Sequence, residues 1–227
     1  MSFKLAIFDM DGTILNTIDD LTDSCNVLLE KYSLPTYTSE EFKFFVGNGI
    51  PKAVERALPA ELPPDFAPDF REKFLAEYIS YYEKHCAIKT APYKGITECI
   101  KELRSCGVKI AVNTNKIESA AIDLCNDYFS GLFDIISGSR PGLPPKPDPA
   151  GIYEILKRAG MSLEEACEPD GAVFIGDSDV DIETGLNAGI NVIGVDWGFR
   201  GRAFLLEHKA PRVVMSPQEL AAEIVQE

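Results

Sequence analysis

Two carboxylates separated by one residue, Asp9 and Asp11, stand in the run Asp9-Met10-Asp11-Gly12-Thr13. Residues i and i+2 of an extended segment share a face. One carboxylate can therefore attack an electrophile such as phosphorus, while the other gives a proton to the leaving oxygen and later takes one from water. Asp and Gly are also common in turns and helix caps, so the run by itself suits that role equally. Three other stretches carry compatible groups. Asn113-Thr114-Asn115-Lys116 offers hydroxyl, amide and ammonium donors to phosphate oxygens, although such residues also cap helices. Lys146 stands in Gly142-Leu143-Pro144-Pro145-Lys146-Pro147-Asp148-Pro149, where prolines restrict the backbone. That frame suits either a rigid linker or a point charge held against a phosphoryl oxygen and a carboxylate. Gly176-Asp177-Ser178-Asp179-Val180-Asp181 gathers three acids, and magnesium takes oxygen ligands, commonly one or two carboxylates beside phosphate and water. Asp177 is the better ligand candidate, whereas Asp179 suits a helix dipole.

The elements around these residues read as an α/β fold. Apolar, β-branched runs at residues 5–8, 110–112, 172–175 and 192–195 lack polar alternation, as buried parallel strands do, and Ile135-Ile136 and Val213-Val214 are weaker candidates. Helix-like segments at 96–106, 119–128, 150–159 and 182–188 lie between them. The alternation predicts a doubly wound, Rossmann-like parallel sheet, in which functional groups collect beyond the carboxyl ends of the strands. All four chemical stretches fall at such ends. Roughly 75 residues separate the first strand from the turn Tyr93-Lys94-Gly95, far more than a loop. Helical periodicity at 21–34, 40–46, 51–58 and 66–84 predicts an inserted all-helical cap subdomain over 16–88, on a core of 1–15 and 89–227. Ser39 is its expected N-cap, Pro51 suits a first turn, and the Pro-rich stretch 59–68 separates two helices.

Composition narrows the partners. The 227 residues carry 22 Lys and Arg against 36 Asp and Glu, a net charge of -14. Such a field repels nucleic acid and anionic membranes. It would also repel a small phosphorylated metabolite unless a cation and a few placed lysines compensate locally. The six cysteines form no Cys-x-x-Cys pair, and His85 and His208 are expected at the surface, which argues against zinc. With no signal-peptide pattern and no apolar run near the ~18 residues of a membrane span, the expectation is a cytoplasmic protein, monomeric or homodimeric.

The conjunction of Asp9-Met10-Asp11-Gly12-Thr13, Thr114, Lys146 and Gly176-Asp177 with Asp181 resembles the four motifs of the haloacid dehalogenase-like hydrolase superfamily, over almost the whole chain. The resemblance implies Asp9 as nucleophile and Asp11 as general acid and base. It implies Thr114 and Lys146 as phosphate binders, and Asn115, whose amide is a further donor in the same run, is expected to bind phosphate with them. It further implies a magnesium ion held by Asp9, by the main-chain carbonyl of Asp11 and by Asp177, with Asp181 supporting. The helical insert looks like the first type of cap, and Gly47-Asn48-Gly49 resembles the cap loop of phosphoglycolate phosphatases, as does Trp197-Gly198-Phe199-Arg200. Glycines at 47 and 49 would permit close backbone approach, and Asn48 an amide donor to the substrate. Asn16 departs from the aspartate many relatives carry. Two rivals share these groups: a phosphomutase of the β-phosphoglucomutase type, and a receiver-like domain switched by a phosphorylated aspartate. The large insert and Asp11 set the chain apart from the receiver. Of the remaining residues, Asp19 and Asp20 are expected to favour a helix dipole, and Phe42, Phe44, Phe45, Tyr81 and Tyr82 to form cap core.

Overall fold

The computed structural model describes residues 2–62 and 66–225. The chain begins with β1 (Leu5–Phe8) and β2 (Leu15–Asn16), then runs through α1 (Ile18–Lys31), α2 (Ser39–Phe42), α3 (Ile50–Ala57) and α4 (Phe70–His85). It continues through β3 (Ala91–Pro92), α5 (Ile96–Ser105), β4 (Lys109–Ile117), α6 (Glu118–Phe129), β5 (Ile135–Ser139), α7 (Ala150–Ala159) and α8 (Leu163–Ala166). The last elements are β6 (Ala172–Gly176), α9 (Asp179–Ala188), β7 (Asn191–Val195), α10 (Gly201–Glu207), β8 (Val213–Val214) and α11 (Pro217–Ile224). By internal packing, Thr17–Ala91 forms one unit and the residues on either side of it form the other.

The larger unit is the doubly wound sheet that the apolar runs predict. Six parallel strands lie in the order β5-β4-β1-β6-β7-β8. Alternate residues of one strand serve opposite faces. Ala6, Phe8, Ile110, Val112, Val173 and Ile175 join a core with α5, α6 and α11. Leu5, Ile7, Ala111 and Phe174 join another with α7, α8 and α9. Burial on both faces explains the missing polar alternation, and each large apolar side chain withdrawn from water contributes about 1.5–3 kcal/mol. The register sets Phe8 level with both Val112 and Ile175. Asp9, Asn113 and Gly176 therefore lie level at the carboxyl end of the sheet, where strand order reverses around β1, with Asn113 and Gly176 still paired to β5 and β7.

The 17–91 unit is helical. Tyr78 and Tyr82 of α4 are fully withdrawn from water, and the Tyr78 hydroxyl donates to the carbonyl of Leu21 on α1 over 3.1 Å. Several local expectations shift here. Thr38, not Ser39, caps α2, because its hydroxyl accepts from Glu41 N while Glu41 accepts from Thr38 N in a reciprocal capping box. The helix then ends at Phe42 instead of running to 46. Helix α1 starts at Ile18 and stops at Lys31, and α4 starts only at Phe70; part of the Pro-rich stretch, residues 63–65, lies outside the described residues. Phe42 is core, but Phe44 is 64% exposed and Phe45 half-buried. Tyr81 and His85, both half-buried, stack on each other. Asp19 and Asp20 do occupy the first turn of α1, yet Asp20 does more than face a dipole. It is buried and accepts the main-chain N–H groups of Ile88, Lys89 and Thr90 at 2.8–3.0 Å.

All six cysteines are free, and burial pushes the thiols of Cys25, Cys99 and Cys125 up to about 12, where they are unreactive. Among the described residues no helix is long and apolar enough to cross a membrane.

Candidate active site

Strand β1 delivers Asp9, whose N–H still pairs with the carbonyl of Ile175 on β6 over 2.8 Å. The chain then turns tightly around the buried Met10, whose carbonyl accepts the N–H groups of Thr13, Ile14 and Leu15. Gly12 adopts φ +88°, and a Cβ there would lie 2.3 Å from Asp177 Oδ2. Only glycine meets both demands. The turn fixes Asp9 and Asp11 on either side of Met10.

Three of the expected acids converge. Asp9, Asp177 and Asp181 are all buried, with one ligand oxygen of each within 4.8 Å of the others. Lys146, 5% exposed, reaches into this group, its Nζ 2.8 Å from Asp9 Oδ1 and 2.6 Å from Asp181 Oδ1. The other oxygen of Asp181 accepts the N–H and hydroxyl of Ser178, at 3.0 and 2.6 Å. Asp181 thus braces Lys146 from behind. Asp177 accepts the Thr13 hydroxyl at 3.0 Å and the Phe199 N–H at 2.8 Å. The loop carrying Phe199 lies so close that a Cβ on Gly198 would fall 2.2 Å from Asp177 Cβ and 2.5 Å from the Gly12 carbonyl oxygen. Trp197 fastens the same loop through an Nε1–H bond to the Thr13 carbonyl over 3.0 Å.

The electrostatics follow from this crowding. Burial, and then the negative charge of Asp181, push the Asp9 carboxyl up to about 7 against the opposing pull of Lys146. Burial also holds Asp177 well above the usual carboxylate range, helped by Asp181 and Asp9 and opposed by its two hydrogen bonds. Burial alone would lower the Lys146 ammonium, but Asp181 and Asp9 outweigh it and raise it. Carboxylates forced together in this way favour a divalent cation with oxygen ligands. The donor set fits magnesium better than zinc, since neither sulfur nor imidazole takes part.

Strand β4 continues past the expected 110–112 to Ile117, so Thr114 lies within it; Thr114 is buried and its Oγ1 accepts the Lys116 N–H over 3.2 Å. Asn115, expected to bind phosphate, instead brackets the main chain of Lys146 with both polar atoms of its side chain. Oδ1 accepts Lys146 N at 2.8 Å, and Nδ2 donates to Lys146 O at 3.2 Å. Its amide thus joins the Lys146 loop to β4. Asp179 lies in the first turn of α9, away from the acid group. Gly47, Asn48 and Gly49 belong to the 17–91 unit, immediately before α3, where Arg56 donates to Asn48 Oδ1 at 2.8 Å and to the Phe45 carbonyl at the same distance. The structure also adds residues the motifs did not single out. Thr13, Ser178 and the Phe199 N–H orient the acids, and Lys116 places its Nζ 3.1 and 3.4 Å from the two oxygens of Asp11. Thr13, Lys116, Ser178 and Phe199 all stood inside the quoted runs, but nothing in those runs tells which acid each one reaches.

The family model for haloacid dehalogenase-like hydrolases matches residues 6–195. A phosphoglycolate phosphatase of Pseudomonas syringae pv. tomato is 31% identical, with 98% of this chain and 82% of the relative covered. One from Pseudomonas savastanoi pv. phaseolicola is 32% identical over 91% of this chain and 75% of its own length. A crystal structure from Lactobacillus delbrueckii subsp. bulgaricus, provisionally named a phosphoglycolate phosphatase, superposes with a TM-score of 0.91 at 36% identity over the whole of both chains. The chain belongs to the haloacid dehalogenase-like hydrolases.

Proposed function

We propose that this hydrolase cleaves a small phosphomonoester, phosphoglycolate being the first candidate, by way of an aspartyl-phosphate on Asp9. The carrying observation is the buried group of Asp9, Asp177 and Asp181 with Lys146 driven into it, two residues from a second carboxylate at Asp11. The names of the curated relatives support the substrate.

An Asp9 oxygen attacks phosphorus and the bond to the leaving oxygen breaks. Asp11 gives that oxygen its proton, and the alcohol departs. Water then attacks phosphorus, its proton passes to Asp11, and inorganic phosphate leaves with the Asp9 carboxylate regenerated. Lys146 aims Asp9 and offsets charge on the phosphoryl oxygens, which the Thr114 hydroxyl also holds. Magnesium would be held by the carboxylates of Asp9 and Asp177 and the main-chain carbonyl of Asp11, where it supplies positive charge to the phosphoryl oxygens. The 17–91 unit serves as the helical cap, and its Gly47-Asn48-Gly49 loop as the element that tells substrates apart. Because Arg56 takes Asn48 Oδ1, the group Asn48 presents is its Nδ2 donor.

The decisive measurement is kcat/KM, with magnesium present, over a panel of phosphoglycolate, pyrophosphate and sugar phosphates, with free phosphate followed against sugar phosphate isomers. Release of phosphate with phosphoglycolate preferred is the expected result. Isomer formation without release would make the protein a mutase, and a stable phosphoprotein without turnover would make it a switch.

A further inference from the structure

Two lysines are buried at this edge of the sheet, and they face different partners. Lys146 lies between Asp9 and Asp181, at 2.8 and 2.6 Å, so its charge is engaged on the nucleophile's side. Lys116 is 4% exposed and sits astride Asp11, with its main-chain N–H tied to Thr114 Oγ1. In a phosphoryl transfer the attacking and leaving oxygens lie roughly in line on opposite sides of phosphorus. Asp9 marks the attacking side, and Asp11, as the acid, marks the leaving oxygen. An ammonium 3.1 Å from Asp11 therefore lies beside whatever the leaving oxygen is attached to.

Resting on the phosphatase reading above, we infer that Lys116 selects substrates by a negative charge on the leaving alcohol, close to the ester oxygen. The substrate class is the phosphate esters of small hydroxycarboxylic acids. A chain of net charge -14 needs such a local cation to admit a second anionic group. A leaving alcohol with no charge gains nothing from it. The carboxylate of an ester such as phosphoglycolate, one carbon from the leaving oxygen, falls within its reach.

The test compares phosphoglycolate with 2-hydroxyethyl phosphate, similar in size but neutral at the far end, in the full chain with magnesium. The wild type is expected to prefer phosphoglycolate by about 100-fold in kcat/KM. Lys116→Met should slow both esters, because Lys116 also touches Asp11, while bringing the preference to within about threefold. Equal losses on both esters would overturn the inference and leave Lys116 as a support for Asp11; so would a wild type without preference. Should Lys116→Met fail to fold, inhibition of the wild type decides, with glycolate expected to outcompete ethylene glycol and parity overturning the inference. Phosphate release from 2-hydroxyethyl phosphate that disappears in Asp9→Asn would preserve the phosphatase reading whatever Lys116 does. No release from any ester would remove both.

Discussion

Asp20 in the helical unit and Asp9 at the edge of the sheet are both withdrawn from water, at 3% and 7% exposure, yet their surroundings are opposite. Asp20 is enclosed by main-chain N–H groups of Ile88, Lys89 and Thr90, donors that match a carboxylate and hold the returning chain. Asp9 meets other carboxylates and a lysine shared with Asp181, and its carboxyl is pushed up to about 7, chiefly by burial. Burial of an acid therefore does not mark chemistry. What marks it is a crowd of carboxylates around one lysine, an arrangement whose negative charge a divalent cation would offset.

The comparison breaks first at Asp9. Asp9→Asn is expected to lower kcat on every phosphate ester by about 10⁴-fold or more, while thermal unfolding shows a folded protein; near-normal turnover would refute the nucleophile. Asp20→Ala should do the reverse. It strands buried N–H groups and is expected to cost about 3 kcal/mol in urea unfolding, with turnover persisting in the molecules that remain folded. An unchanged midpoint would mean that those bonds contribute nothing.

Smaller effects sharpen the contrast. Gly198→Ala pushes a methyl into Asp177 and the Gly12 carbonyl, so magnesium affinity measured by calorimetry should fall by about 10-fold to 100-fold. Activity at high magnesium should recover in part, and an unaltered affinity would show that the loop does not orient Asp177. Magnesium at about 100 times its Kd should also stabilise the wild type by about 2.7 kcal/mol. Asp177→Asn should abolish that gain, and a melting curve indifferent to magnesium and to chelator would argue against the proposed ion.

Strands β1, β6, β7 and the start of β4 were legible because they are buried on both faces and so written as unbroken apolar runs, whereas β5 and β8 left only two-residue traces and the short strands β2 and β3 none. Helix ends in the 17–91 unit were less legible too. Ser39 and Thr38 are both good caps, and the choice rested on which hydroxyl lies three residues before Glu41. Phe44 sits among aromatics that look alike in sequence, and only packing put Phe42 inside and Phe44 at 64% exposure.

Asp9, Asp11, Thr114, Lys146 and Asp177 were singled out only by the conjunction of four short motifs set near strand ends, since each motif alone also suits a turn, a cap or a linker. Which donors those acids receive was decided by tertiary structure: Lys116 lies 105 residues from Asp11, and the Phe199 N–H lies 22 from Asp177. Asp20 reads in sequence as an ordinary first-turn acid, and its partners 68 to 70 residues away make it a clasp. A carboxylate's role depends on the donors that reach it through space, and spacing along the chain records only those that are near in sequence.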